Sequence, residues 1–140
     1  MKVCIASVDS ELFCGGALAV VTETVDGEIK ILPGHTPLLG LLRPGLLRIY
    51  APAQKGYPQG RQYMMLISGG YLEVQRDSVT ILADAYERES DIDAAQAKRM
   101  LHSAREAFRH AAPDAMDKAM LELEMAIARM NLARRSATRR

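Results

Sequence analysis

Glycine and proline are confined almost wholly to one half of this 140-residue chain. All ten glycines lie between Gly15 and Gly70, and five of the six prolines precede residue 60. Residues 89–140 contain thirteen alanines, no glycine and a single proline, Pro113. Glycine and proline punctuate strands and turns, whereas an alanine-rich run without them favours helix. The sequence therefore predicts a β-type part at 1–88 followed by an α-type part at 89–140.

The first part contains short β-prone runs separated by turn residues. The predicted strands are 3–8, 17–21, 45–50, 62–67, 71–75 and 79–82. Asp26-Gly27 and 76–78 fit hairpin turns, and the Pro- and Gly-rich segment 51–60 fits a long exposed hairpin loop. Many short strands at regular spacing predict a β-sandwich or flattened barrel.

The segment 27–45, which we call the punctuated segment, is rich in the turn-forming residues proline and glycine. It holds two Pro-Gly steps and a His-Thr-Pro within nineteen residues. Proline fixes φ and removes a backbone donor, while glycine opens the region of positive φ. We therefore expect a rigid connector between strands rather than an ordinary strand, and such ordered loops commonly serve recognition.

The second part has the periodicity of two helices. Ser90 followed by Asp93 fits a capping box, and Pro113 breaks the pattern midway. Apolar residues recur at four-three spacing on both sides of the break, first at Ala97, Leu101, Ala104, Phe108 and Ala111, then at Met116, Met120, Leu123, Ile127 and Met130. Two such seams joined by a short turn predict an antiparallel helical hairpin.

Composition and charge exclude several classes of function. A net charge of +1 gives no general attraction to nucleic acid or anionic lipid, and no run reaches the roughly 20 apolar residues of a membrane helix. The basic end 134–140 lacks the interleaved aromatics of a nucleic-acid tail, so we expect it to contact an acidic protein surface or to be solvated. We expect a cytoplasmic protein that reaches a membrane only through partners.

Catalytic and metal-binding motifs are missing from the sequence. His35 lies in the punctuated segment, but no serine or cysteine nucleophile is arranged beside it, so an interface or structural role is favoured over a general base. His102 and His110 fit a solvated helix surface. Cys4 and Cys14 fit buried, unreactive thiols, with a redox pair as the alternative. No residue is predicted to be catalytic or to bind a metal.

Several motifs in order resemble the epsilon subunit of F-type ATP synthases. They are residues 28–39 (EIKILPGHTPLL), 42–45 (LRPG), 68–74 (SGGYLEV), 79–84 (VTILAD) and, more loosely, 13–15 (FCG). The resemblance implies a non-catalytic rotor subunit that couples proton flow to ATP synthesis at the cytoplasmic face of the bacterial plasma membrane. It implies that 1–88 binds the gamma shaft and the c-ring, and that 89–140 is regulatory. The hairpin would restrain ATP hydrolysis by extending toward the alpha and beta subunits.

The resemblance also implies positions of contact. Glu28 matches the end of the sandwich that faces the c-ring, and Ser7 and His35 match positions near gamma. Arg134 and Arg135 would meet an acidic surface of the catalytic subunits.

One departure from the family concerns ATP. Some members bind ATP on the folded hairpin through an Ile/Leu-Asp-x-x-Arg-Ala motif, which matches Ile92, Asp93 and, in place of the arginine, Gln96. Arg129 matches one of the further arginines. Glutamine lacks a positive fork for phosphate, so we expect weak or absent ATP binding and no cofactor. A freestanding nucleotide sensor and a hydrolase using His35 are the alternative functions.

Overall fold

A run of β-strands is followed by two α-helices in the computed structural model, which describes residues 1–138. The chain divides into two compact units, the first spanning Met1–Tyr86 and the second beginning at Glu87. The described residues form ten strands: β1 (Lys2–Ala6), β2 (Glu11–Gly16), β3 (Ala19–Thr24), β4 (Gly27–Ile31), β5 (Leu38–Leu42), β6 (Gly45–Ala51), β7 (Arg61–Ile67), β8 (Gly70–Val74), β9 (Ser78–Ala83) and β10 (Tyr86–Arg88). The helices are α1 (Ala94–Arg109) and α2 (Met116–Thr138).

The strands form one continuous hydrogen-bonded sheet that encloses the core of the first unit. Its order is β10-β7-β6-β3-β5-β8-β9-β1-β2, with β4 paired to β3. Strand β1 runs parallel to β9, whereas β5–β8, β8–β9 and β1–β2 are antiparallel. Burial alternates along β8 and β9, so one face of each strand packs into the core. The predicted fold class, a β-sandwich followed by a helical hairpin, is confirmed.

The punctuated segment 27–45 was wrongly predicted to be a connector. It contains β4 and β5, separated by the short loop 32–37. Residues 28–31 pair in register with β3, and residues 38–42 pair with β8, because Pro and Gly are concentrated between these runs rather than within them. Strands β2 and β10 were also missed. The hairpin turn lies at Val25-Asp26, one residue before the predicted Asp26-Gly27, and Gly27 begins β4 at φ 119°.

The start of α1 differs from the prediction. Its N-cap is Asp93, whose Oδ1 accepts a hydrogen bond of 3.1 Å from the amide of Ala95. Ser90 lies instead in a 3-10 turn at Glu89–Asp91, ahead of the helix. An Asp at the N-cap satisfies an amide that the first helical turn leaves without a partner.

The contact seam of α2 matches the prediction in part, since Leu123 and Met130 pack against the cluster of Leu101, Ala104 and Ala126. Ala119, Ala126 and Ala133 are buried, whereas Met120 and Ile127 are 45% and 42% exposed. Alanine methyl groups let helix backbones approach closely, so longer side chains at neighbouring positions lie at the edge of the contact. On α1 the predicted Ala97, Leu101 and Ala104 are buried as expected, together with Leu132 on α2.

The two cysteines were wrongly predicted to be buried thiols. Cys4 in β1 lies directly opposite Cys14 in β2, with the Cα atoms 4.2 Å apart, and a disulfide joins them. Val3 and Ile5 of β1 are fully buried, so the alternation of the strand directs Cys4 to the outer side of the sheet.

Candidate docking face and helix anchors

An exposed apolar surface covers the outer side of β5, β8 and β9. Leu39 is 80% exposed, Tyr71 64%, Leu82 52% and Leu41 48%. These four side chains, which we call the docking face, line a groove of about 400 Å³ together with Glu73 and Thr80. Large exposed apolar groups on adjacent strands indicate an interaction surface rather than scattered surface residues.

Strand register brings the docking face together in rows. Leu41 is opposite Tyr71, and Tyr71 is opposite Leu82. The next row runs from Leu39 through Glu73 to Thr80. Aligned cross-strand neighbours lie about 5 Å apart, so the apolar side chains form one contiguous patch.

Polar groups border the apolar row. At the end of β8, the side-chain amide of Gln75 donates a 2.7 Å hydrogen bond from Nε2 to the carboxylate of Glu73. An apolar centre with a polar border is the usual anatomy of a protein–protein interface.

The docking face was not predicted from the sequence. Its signal is present, since residues 38–42 are apolar at every position except Gly40. A strand that is apolar on both faces either has both faces buried in its own protein or has one face that contacts a partner. Leu38 and Leu42 point toward the core while Leu39 and Leu41 point outward, so the second case applies here.

Ser7 and His35, the two positions expected near gamma, lie at opposite ends of this face. Ser7 follows β1 in a tight turn, in which its amide donates 2.8 Å to the carbonyl of Ser10. His35 precedes β5, its amide 3.1 Å from the carbonyl of Leu32 and its Nδ1 2.7 Å from the carbonyl of Thr36. Both residues are half-buried, and the hydrogen-bond partners of His35 are backbone carbonyls.

Glu28 lies at the start of β4 and forms an ion pair with a distant strand. The Arg48 guanidinium donates a 2.7 Å hydrogen bond from Nη2 to Glu28 Oε2. The Glu28 side chain remains 54% exposed, compared with 29% for Arg48. This pair leaves a charged, accessible group beside the β3–β4 turn.

In the second unit, two ion pairs attach α2 to the segment that precedes α1. Arg129 contacts Glu87 through two hydrogen bonds, and Arg135 lies 3.8 Å from Glu89. Because the C-terminal part of α2 meets the segment before α1, the two helices run antiparallel. Arg134 is exposed, whereas Arg135 is half-buried.

The residues that match the ATP motif are engaged otherwise or point outward. Asp93 caps α1, Gln96 is exposed on α1, and Arg129 is committed to Glu87. Ile92 is half-buried between the 3-10 turn and the helix. Elsewhere in residues 1–138, no group of three or more His, Cys, Asp or Glu could hold a metal ion. Within the same residues, no helix is both long and apolar enough to cross a membrane.

Comparisons with known proteins agree with this architecture. The family model for the β-sandwich domain of the ATP synthase delta/epsilon chain matches residues 1–89. Proteins named ATP synthase epsilon chain are similar over most of the chain. That of Bordetella parapertussis is 40% identical and covers 91% of this chain and 86% of its own length. That of Chromobacterium violaceum is 37% identical, covering 93% and 90%.

Solved structures show the same fold at low sequence identity. A chain of the Euglena gracilis mitochondrial ATP synthase has a TM-score of 0.72 at 23% identity, covering 90% of this chain and 76% of that one. A chain from the central stalk and c-ring structure of the Tetrahymena thermophila enzyme has a TM-score of 0.63 at 16% identity, covering 93% of both chains. From the family model and the relatives together, the chain belongs to the ATP synthase epsilon-chain family, as a non-catalytic subunit.

Proposed function

We propose that this subunit docks its β-unit on the gamma subunit of the central stalk through the docking face, and so turns with the rotor. The observation that carries the proposal is the contiguous exposed row formed by Leu41, Tyr71 and Leu82. Tyrosine is enriched among residues that dominate binding energy, because it combines a large rigid apolar area with a hydroxyl group. The positions of Ser7 and His35 at either end of the face support the same partner.

The c-ring contact is assigned to the Glu28 end of the β3–β4 hairpin. Glu28 and Lys30 are exposed on the outer side of β4, and Arg48 supplies a fixed counter-charge. Charged groups held in place by an ion pair suit a polar partner surface and favour one orientation of docking. Attachment through gamma and the c-ring would place the subunit peripherally, at the cytoplasmic face of the bacterial inner membrane.

The helical hairpin is proposed to restrain ATP hydrolysis by leaving its folded position. In the structure, Glu87 and Glu89 engage Arg129 and Arg135. Breaking these contacts would expose both guanidinium groups to an acidic surface of the alpha and beta subunits, together with the already exposed Arg134. Two packings of one element separated by a small free-energy gap constitute a switch.

Docking is tested with paired substitutions of exposed leucines. Leu39→Asp places a charge in the docking face, whereas Leu18→Asp alters a 56% exposed leucine in the connection between β2 and β3, outside the face. We expect Leu39→Asp to weaken binding to isolated gamma subunit at least about tenfold, and Leu18→Asp to leave binding unchanged. Equal affinities for the two variants would contradict the proposed face.

The regulatory role is tested by ATP hydrolysis in the reconstituted catalytic complex. A chain ending at Arg88 retains the core cluster of the first unit, which lies wholly within residues 3–83. We expect the full chain to inhibit hydrolysis more strongly than this shortened chain. Equal inhibition would exclude a role for the hairpin.

ATP is proposed to bind weakly, and no resident cofactor is assigned. A nucleotide sensor would need cationic groups directed at phosphate, but position 96 is glutamine and Arg129 contacts Glu87. Calorimetry of the full chain with ATP tests the proposal, and submillimolar affinity would contradict it.

A further inference from the structure

The Cys4–Cys14 pair lies on the surface of the first unit, at the edge of its sheet. The two residues are directly opposed in the β1–β2 ladder, and Cys14 is exposed while Cys4 is half-buried. Strand β2 is the last strand in the sheet order and pairs with β1. Soluble oxidants and thiols can therefore reach the sulfur of Cys14 without opening the core.

We propose that Cys4 and Cys14 form a reversible dithiol–disulfide couple, closed by a peroxide and opened by a dithiol reductant. One thiolate attacks the peroxide oxygen to give a sulfenic acid and hydroxide or water. The second thiolate then attacks the sulfenic sulfur, forming the S–S bond and releasing a second hydroxide or water. Two electrons pass from the cysteines to the peroxide, and exchange with a dithiol returns them.

Register makes the pair suited to rapid closure. The ladder of β1 and β2 holds the two Cα atoms 4.2 Å apart, below the usual spacing of bridged cysteines but close enough for the sulfurs to meet with no rearrangement of the sheet. In a reducing compartment, disulfides that form are commonly transient and redox-sensing. This geometry therefore suits a bond that opens and closes with the redox state of the surroundings.

Closing the couple cross-links an edge strand that is also attached through the packing of Leu12 and Phe13 against the core. Strand β2 is an edge strand, and its register with β1 shifts between Ile5 and Ala6. The turn that joins the two strands contains Val8, which is 93% exposed. A cross-link between directly opposed residues removes open conformations of this hairpin.

The couple also borders the docking face. Cys4 is the register partner of Thr80, which is opposite Glu73, and Ala6 is the partner of Leu82. The disulfide therefore orders the strand adjacent to Leu82 and the turn containing Ser7. We infer that the closed form docks more tightly; this consequence, unlike the couple itself, rests on the proposed function.

The couple is tested on the full chain in glutathione buffers of graded ratio. After alkylation, the intact mass is expected to show two modified thiols per chain in reducing buffer and none in oxidising buffer. The change should be reversible, and the oxidised protein should remain a monomer. The matched variant Cys14→Ser cannot close the bond: its one thiol should be alkylated in reducing buffer and should carry the added mass of a glutathione mixed disulfide in oxidising buffer, a mass that the closed unmodified chain lacks. Thiols that stay alkylatable throughout, or that pair only between molecules, would overturn the proposal.

Hydrogen exchange and binding test the consequences. Amides of β2 and of residues 7–10 should exchange about tenfold more slowly in the closed form, with no difference between conditions for Cys14→Ser. Equal exchange would overturn the ordering effect. The closed chain should bind gamma subunit about threefold or more tightly than the open chain. Equal affinities of the closed and open chains would overturn the link between the disulfide and docking. If neither form binds gamma subunit, the proposed function is contradicted. The couple itself is then still confirmed or overturned by the number of alkylated thiols.

Discussion

Arg129 on α2 donates two hydrogen bonds to Glu87, from Nε to Oε2 at 2.7 Å and from Nη2 to Oε1 at 3.1 Å. The two residues are 42 positions apart in sequence. The Arg129 side chain is only 13% exposed, so water competes weakly for this bidentate contact. One guanidinium thereby joins the two ends of the second unit.

The first prediction concerns the strength of this contact. A double-mutant cycle with Arg129→Gln and Glu87→Gln should give a coupling of about 1–2 kcal/mol, because a bidentate, partly buried pair exceeds an exposed one. Urea unfolding followed by helix signal measures it. The control pair is Arg109 and Glu106, whose side chains are 69% and 41% exposed, and its coupling should stay below about 0.5 kcal/mol. Equal couplings for the two pairs would contradict the prediction.

The second prediction concerns ATP. Gln96→Arg restores the cationic residue of the family motif, and Glu87→Gln removes the carboxylate that engages Arg129. The double variant should bind ATP at least about tenfold more tightly than the unmodified chain, since charge-assisted bonds to phosphate are the strong ones. Calorimetry measures the affinities. Unchanged affinity in the double variant would show that the site is lost for reasons beyond these two residues.

Sequence alone predicted the β-then-α order, several strand positions and the family, because these depend on local composition and contiguous motifs. It missed β4 and β5, since the prolines and glycines around residues 32–37 outweighed the apolar runs on either side. It also missed the contact between Arg129 and Glu87, which depends on how α2 packs. No spacing rule links side chains so far apart in sequence.

The third prediction tests the part of the helix seam that differs from the one expected from sequence. Ala126 is 2% exposed and packs with Leu101 and Ala104, whereas Ile127 is 42% exposed. Ala126→Leu should destabilise the hairpin by about 1–3 kcal/mol, because extra volume cannot fit between close backbones. Ile127→Leu should change stability by less than about 0.5 kcal/mol. Helix unfolding in urea measures both, and the reverse ranking would support the predicted seam.

The docking face was beyond sequence reasoning for a different reason. Tyr71 alternates with the buried Leu72 along β8, which is ordinary for a half-exposed strand. Only the register shows that Tyr71 lies between Leu41 and Leu82. Cross-strand neighbours come from distant parts of the chain, so an apolar patch becomes visible once strand order is known.

The fourth prediction concerns the tyrosine at the centre of that row. Tyr71→Ala should weaken binding to gamma subunit at least about tenfold, because a central aromatic side chain contributes disproportionately to an interface. Tyr57→Ala is the control, since Tyr57 is 41% exposed but belongs to the loop between β6 and β7. It should leave affinity unchanged. Surface plasmon resonance with immobilised gamma subunit gives both constants, and similar losses would place the interface elsewhere.

The fifth prediction concerns the bend that enters β8. Gly70 has φ of 139°, and a Cβ atom built there overlaps the carbonyl oxygen of Leu82 in β9. Gly70→Ala therefore requires both an unfavourable backbone conformation and separation of two paired strands. We expect a loss of about 3–5 kcal/mol in the free energy of unfolding of the first unit.

Gly16 provides the matched control for Gly70. It lies in β2 with ordinary φ, and a Cβ atom there meets nothing within 4 Å. Gly16→Ala should change stability by less than about 0.5 kcal/mol, because it adds a methyl group in open space and reduces only the freedom of the unfolded chain. Thermal and urea unfolding of the two variants measure the difference. Comparable losses would mean that glycine is needed for flexibility of the sheet in general, whereas a loss confined to Gly70 identifies the close approach of β8 and β9 as its cause.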